Sequence, residues 1–486
     1  MRIRSHHFRC IAGALFCLTP LAARAQTDTL LKLSTTVPQA ATDFRAGVTD
    51  LENFSIESGA SHFQSAVKAD PNFGLARAMY GFMGAALTGD LTQPQALSEI
   101  NRGIADAATH GTTNELLLAA AYREAFLNHN DAAAALFRAA SQLMPNDRML
   151  AANAAGFAGN PNNPVPVMRD FIAKNPNYAP AYNTYAYNLW TRGDRAGALQ
   201  AAKRQTELNP NAPNPFDTYG EILQWNGNFP EAIAAYRRAS TTSPRFPEAY
   251  AGLAEVEALQ GHYDQARSYL NQAITNAWTP QQKLSYMRQI AGTYALQGGP
   301  PDAVAKQLQA VVAEATAQNN PQAAAIANAQ MAAAYAAAGN VDAAHKQIAA
   351  AKAASADVPW QVNYYAAAAH GLMKHWAPAN QELAALKTKA ATGPAPAKTM
   401  AAAAEGFLLT QQGRPADALK ILSASDTTNI LVMNRIAEAH QALGHSPEAA
   451  AWRNKITNNH ALNLLDFPAA NARRRTRVAS SSTRTP

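Results

Sequence analysis

Residues 213–246 read PNPFDTYGEILQWNGNFPEAIAAYRRASTTSPRF, a stretch that predicts two short helices joined by a turn. The first helix is expected to end at Gly227, because glycine readily adopts the left-handed backbone conformation found after helices. The second is expected to end before Pro244, because a proline disfavours helical angles in the residue before it. Gly220 and Ala232 are small where the helices must cross. The predicted core side chains around that crossing are Tyr219, Leu223, Phe229 and Tyr236.

The same helix-ending glycine and proline residues, and the same small residue at the helix crossing, recur on either side at an interval of 34 residues. The recurring residues are Pro176, Pro210 and Pro244; Gly193, Gly227 and Gly261; and Ala198, Ala232 and Ala266. A fixed period of this length indicates a repeated helix pair, and a single pair is too small to bury its own apolar side. The chain is therefore predicted to be a stack of such pairs.

This pattern resembles that of the tetratricopeptide repeat family. The matching residues in 213–246 are Phe216, Gly220, Phe229, Ala232, Tyr236, Ala239 and Pro244. Residues 179–212 and 247–279 carry further clear copies, and residues 40–73 and 114–147 carry weaker ones. The resemblance implies an all-α fold, a right-handed superhelical solenoid of stacked antiparallel helix pairs. It also implies that the first helices line a concave groove that holds a protein or peptide.

The first 25 residues have the composition of a secretory signal peptide. A basic start leads into a short apolar run over residues 10–21 and then into Ala-Arg-Ala at 23–25. We expect cleavage there, export to the periplasm or beyond, and no transmembrane segment afterwards. An uncleaved anchor is the alternative. Both cysteines, Cys10 and Cys17, lie in this segment, so the mature chain is expected to lack disulfides and cysteine metal sites.

Five segments are predicted along the chain. They are a signal peptide (1–25), a leader (26–39), a tetratricopeptide-like array (40–279, clearest in 179–279), degenerate helical pairs (280–466) and a basic disordered tail (467–486). Helix breaks in the fourth segment are expected at Gly339-Asn340, Pro359, Gly393-Pro394, Gly413 and Gly444. A domain boundary near 280 is the alternative to one continuous array.

The formal net charge of +7 is concentrated at the two ends of the chain. Four arginines lie in the first 25 residues and five in the tail, which leaves 32 basic and 34 acidic residues between them. A body this close to neutral argues against a nucleic-acid partner. The arginine-rich run at 473–477 is read as a solvated end, with contact to phosphate-rich lipid or polysaccharide as the alternative.

The sequence has no phosphate-binding Gly-rich loop, no His-Glu-x-x-His helix and no Gly-x-Ser-x-Gly elbow. Ser65-Ala66-Val67-Lys68 fits the Ser-x-x-Lys pattern of some acyl-serine enzymes, but the partner motifs of those enzymes are absent, so we read it as part of a repeat helix. His370 and His375 are five residues apart, as are His440 and His445, and this spacing does not place two ligands on one face of a helix. We therefore predict no catalytic residue, no cofactor and no metal site.

Polar and aromatic residues away from the core positions are predicted to face the groove. They are Asn183, Tyr187, Trp190, Asp217, Glu221, Gln224, Trp225, Glu248 and Glu255. Aromatic anchors with acidic neighbours favour a basic or amide-bearing partner. Acids at Asp217, Glu221 and Glu255 also argue against the carboxylate clamp found in chaperone-binding members of the family.

The predicted function is a non-catalytic protein-interaction scaffold or adaptor of the bacterial cell envelope. Two alternatives remain open. One is a secreted enzyme built on a helical toroid, in which Asp217 and Glu221 would supply acid–base chemistry. The other is a protein that binds cell-wall or other envelope polysaccharide, with Trp190 and Trp225 as stacking surfaces.

Overall fold

The computed structural model describes residues 31–52, 56–84, 91–127, 129–144, 147, 152 and 165–461. Over these residues the chain forms 23 α-helices and no β-strand. The all-α prediction is confirmed. The predicted signal peptide and basic tail lie outside the described residues.

The helices before residue 280 are α1 Pro38–Glu52, α2 Ile56–Ala69, α3 Gly74–Met83, α4 Gln93–His110, α5 Thr113–Phe126, α6 Asn130–Leu143, α7 Val165–Lys174, α8 Ala179–Thr191, α9 Arg195–Leu208, α10 Pro213–Trp225, α11 Phe229–Thr242, α12 Pro247–Gln260 and α13 Tyr263–Thr275. Those that follow are α14 Pro280–Gln297, α15 Pro301–Ala317, α16 Pro321–Ala337, α17 Val341–Ala354, α18 Trp360–Leu372, α19 Trp376–Thr392, α20 Ala395–Gln411, α21 Pro415–Ser423, α22 Ile430–Ala442 and α23 Ser446–Thr457.

Neighbouring helices pack in consecutive pairs, which confirms the predicted helix-pair fold. The closely packed pairs include α1 with α2, α3 with α4, α5 with α6, α8 with α9, α10 with α11, α16 with α17, α18 with α19, α20 with α21 and α22 with α23. The first helices of successive pairs also contact each other. Examples are α16 with α18 and α20 with α22. The right-handed superhelix remains a prediction.

The described residues fall into two compact units. One contains residues 31–252 and 276–281, and the other contains 253–275 and 282–461. The five predicted segments, including the boundary at 279, remain predictions. Among the described helices, none is both long and apolar enough to cross a membrane.

The turn between α10 and α11 forms where the sequence predicted it. Gly227 has a φ of +84°, and its counterparts Gly193 and Gly261 have φ values of +82° and +92°. The Asn228 N–H donates to the Leu223 carbonyl at 2.9 Å, which satisfies a carbonyl at the helix end. The recurring glycines therefore mark the same turn in three successive pairs.

Tyr236 fills the crossing of α10 and α11. Its ring is fully buried, and a Cβ added at Gly220 would lie 3.0 Å from the Tyr236 Cδ1. Its hydroxyl donates to Gln224 Oε1 at 3.0 Å. Leu223 is also buried as predicted, whereas Tyr219 and Phe229 are only half-buried. Two of the four side chains that the sequence predicted for the core of this pair are therefore fully buried.

Candidate functional site

Direct hydrogen bonds join α8 to α10, the first helices of two successive pairs. Asn183 Nδ2 donates to Thr218 Oγ1 at 2.7 Å, and the Tyr187 hydroxyl donates to Glu221 Oε2 at 2.7 Å. The partners are 35 and 34 residues apart, so they occupy nearly equivalent positions in consecutive repeats. The repeat period itself brings these polar side chains together.

An aromatic cluster, defined here as Tyr187, Trp190 and Trp225, lies at the end of the same two helices. The Trp190 and Trp225 ring centroids are 5.2 Å apart, and those of Tyr187 and Trp225 are 5.9 Å apart. Trp225 is 5% exposed, whereas Tyr187 and Trp190 are half-buried. The Arg195 guanidinium lies 5.2 Å from the Trp190 ring centroid, a cation–π distance. The aromatic cluster therefore combines one buried ring, Trp225, with two partly accessible rings, Tyr187 and Trp190.

The polar residues of α10 are deeply buried. Asp217, Glu221 and Gln224 are 3%, 1% and 0% exposed. Burial raises the pKa of the Glu221 carboxyl well above its ordinary value, and repulsion from Glu248 raises it further. The neutral form of this carboxyl is therefore more favoured than it is for a glutamate exposed to solvent.

The structure brings seven of the nine predicted groove residues together on α8 and α10. They are Asn183, Tyr187, Trp190, Asp217, Glu221, Gln224 and Trp225. Glu248 is half-buried near the start of α12 and interacts electrostatically with Glu221. Glu255 is buried on the part of α12 that belongs to the other compact unit. Partner binding by these nine residues remains a prediction.

Sequence reasoning missed Thr218, which holds Asn183 in place. The sequence did contain a signal for this contact, namely the repeat period. Thr218 lies 35 residues after Asn183, about one repeat further along the chain, and three residues before Glu221. Asp217 and Glu221, the acid pair of the enzyme alternative, lie on consecutive turns of α10.

Residues 226–277 match the tetratricopeptide repeat family. No curated protein matches the chain. Similar solved structures include that of MamA, which is 19% identical with a TM-score of 0.28 and aligns over 32% of this chain and 93% of its own. The human IFIT1 dimer with PPP-AAAA is 12% identical, with a TM-score of 0.42 over 86% of this chain and 93% of its own. YrrB, described as a TPR protein with an unusual peptide-binding site, is 14% identical, with a TM-score of 0.21 over 46% and 97%.

Proposed function

Because the chain belongs to the tetratricopeptide repeat family through residues 226–277, we propose that it is a non-catalytic scaffold that binds a protein or peptide partner. Helix pairs also pack consecutively within each compact unit, and stacked pairs expose their first helices as a binding surface. The proposed binding surface is the one formed by α8 and α10.

The observation that carries this proposal is the aromatic cluster. Its two half-buried rings, Tyr187 and Trp190, pack against the buried Trp225, and the Tyr187 hydroxyl also donates a hydrogen bond to Glu221. Rigid aromatic side chains give large contact area at a low cost in conformational entropy, and they are common anchors of protein interfaces. We expect the partner to place an apolar or amide-bearing segment against these rings.

We further propose that the protein acts in the bacterial cell envelope after export. The basic and apolar composition of residues 1–25 supports this location. An envelope polysaccharide in place of a protein is the competing partner, because sugars also stack on tryptophan.

Site-specific photocrosslinking tests the partner and the surface together. A photoreactive phenylalanine analogue at position 190 should give a discrete protein adduct in the producing cells, and Tyr187→Ala should reduce its yield. The matched control places the analogue at position 452. Trp452 is also half-buried, with Lys455 Nζ 3.7 Å from its ring centroid, but it lies on α23.

Three outcomes decide the matter. A discrete adduct from position 190 that is absent from position 452 supports the proposal. Equal adducts from both positions would mean that α8 and α10 are not the binding surface. An adduct at position 190 that carries saccharide and resists protease would instead favour the polysaccharide partner.

A further inference from the structure

Three histidines from three consecutive helical segments meet in the second compact unit. His345 lies in the second turn of α17, His370 near the end of α18, and His375 directly before α19. The His345 Nε2 and His375 Nδ1 atoms are 3.2 Å apart. One ring nitrogen from each of the three histidines lies within 4.8 Å of the other two. They form the histidine cluster.

The spacing of five residues between His370 and His375 does not prevent them from meeting. A ligand pair on a continuous helix needs a spacing of four, but α18 ends at Leu372, before His375. The chain then reverses: Lys374 has a φ of +60°, and the His375 N–H donates to the His370 carbonyl at 2.9 Å. The turn brings the two ring centroids to 6.3 Å. The sequence-based objection to this pair therefore assumed a helix that is not continuous.

The donor geometry is close to what a zinc-class cation requires. Imidazole nitrogens lie about 2.0–2.1 Å from Zn²⁺, which separates two tetrahedral ligands by about 3.4 Å. The His345 and His375 nitrogens at 3.2 Å are close to this separation, and one nitrogen from each of the three histidines lies within 4.8 Å of the others. His370 is 8% exposed, and its Nδ1 atom has no hydrogen-bond partner within the described part of the chain.

The cluster is also accessible, since His345 is exposed and His375 is half-buried. We propose that His345, His370 and His375 bind one divalent zinc-class cation, with the fourth coordination position open to water or to a ligand from another molecule. Neutral imidazoles suit zinc, copper and nickel better than the hard cations calcium and magnesium. The bound ion would join α17, α18 and α19, and this proposal is independent of the proposed scaffold function.

The same turn occurs again within the described residues, but there it has no third histidine beside it. His440 and His445 are also five residues apart, with ring centroids 5.7 Å apart and the same 2.9 Å backbone bond from His445 to His440. At His262 the residue five before is Glu257, and the two side chains are hydrogen-bonded at 2.8 Å. Of these turns in the described chain, the one at His375 is where His345 adds a third nitrogen donor.

Zinc titration of the full-length, chelator-treated protein against a zinc-responsive indicator tests the site. We expect one ion per chain at this site, and a loss of roughly tenfold or more in affinity for His345→Gln and for His375→Gln. His445→Gln is the matched control and should leave the affinity unchanged. Because His345 is exposed, its substitution is expected to preserve the helical circular dichroism spectrum.

A second measurement places the ion on the fold. Zinc should slow amide hydrogen exchange in residues 341–376 of the wild-type protein and leave that of His345→Gln unaltered. Zinc affinity that is unaffected by both His345→Gln and His375→Gln would place the ion elsewhere and overturn the proposal. An equal loss of affinity with His445→Gln would also overturn it.

Discussion

At the scale of single residues, Tyr236 decides how closely two repeats can approach. It packs against Gly220 on α10 and against Gly252 on α12, and both positions lack a Cβ. A Cβ at Gly252 would overlap the Tyr236 ring, which is fully buried and anchored by its bond to Gln224. The ring has little freedom to move away.

Gly252→Ala should therefore destabilise the protein. Overpacking costs about 1–3 kcal/mol, and this exceeds the gain of about 1 kcal/mol that alanine normally brings to a helix interior. The urea unfolding midpoint measures the difference. In a Tyr236→Leu background the smaller side chain makes room, so the penalty of Gly252→Ala should shrink. An equal penalty in both backgrounds would show that Tyr236 is not the obstacle.

His370 gives the stability of the metal-free protein a predictable dependence on pH. Burial lowers the pKa of His370 below its ordinary value; Glu382 opposes this shift, while His345, Lys352 and His375 add to it. As pH falls, the unfolded chain therefore takes up this proton before the folded chain does. The stabilisation is complete above the ordinary pKa and is lost as pH falls towards the folded pKa.

His370→Asn should make the urea midpoint less sensitive to pH below about 6.5, the ordinary histidine value. A single group of this kind contributes a slope of at most about 1.4 kcal/mol per pH unit. The comparison requires chelator-treated protein, because a bound cation would also respond to pH. Identical pH profiles for the two proteins would contradict the predicted role of His370.

At the scale of the helices and turns, glycine and proline made most boundaries predictable. The expected breaks at Gly339-Asn340, Gly413 and Gly444 coincide with turns of φ +78°, +78° and +77°. The break after α18 was missed, because Lys374 occupies the left-handed position there. Lysine is not a typical turn residue and gives no turn signal in the sequence, whereas the close packing of α18 against α19 is visible in the structure alone.

The turns at Lys374 and Gly444 form a natural pair for mutagenesis. They have the same backbone bonds, but a left-handed conformation costs a residue with a Cβ about 1–2 kcal/mol. Lys374→Gly should therefore stabilise the protein, and Gly444→Lys should destabilise it by a similar amount. Thermal unfolding of the two single variants tests this. Shifts of the same sign would mean that side-chain contacts, and not φ, dominate at these turns.

At the scale of the whole molecule, the period of 34 residues explains which candidate groove residues could be placed near one another from the sequence alone. It aligns α8 with α10, and Tyr187 and Glu221, which are one period apart, lie on these two helices and are hydrogen-bonded to each other. The burial of Asp217, Glu221 and Gln224 was not predictable, because helix periodicity does not specify how closely adjacent pairs pack. The histidine cluster was missed for a similar reason: His345 lies 30 residues before His375, on a different helix with no recognisable motif.

In a repeat array, stability varies along the chain according to what each pair buries against its neighbours. Eleven residues are buried in α16 and eleven in α10, but eight of those in α16 are alanines, whereas α10 buries Ile222, Leu223 and Trp225. A fully buried leucine or isoleucine contributes about 1.5–3 kcal/mol, and a single methyl-sized group contributes about 0.8 kcal/mol. Alanine's higher helix propensity works in the opposite direction, by up to about 0.7 kcal/mol per residue.

Because packing dominates helix stability inside proteins, residues 321–354 should exchange amide hydrogens faster than residues 213–246. The two segments have equal length, so deuterium uptake by mass spectrometry compares them directly in metal-free protein. Slower exchange in 321–354 would mean that propensity, and not buried area, sets the order of local stability in this array.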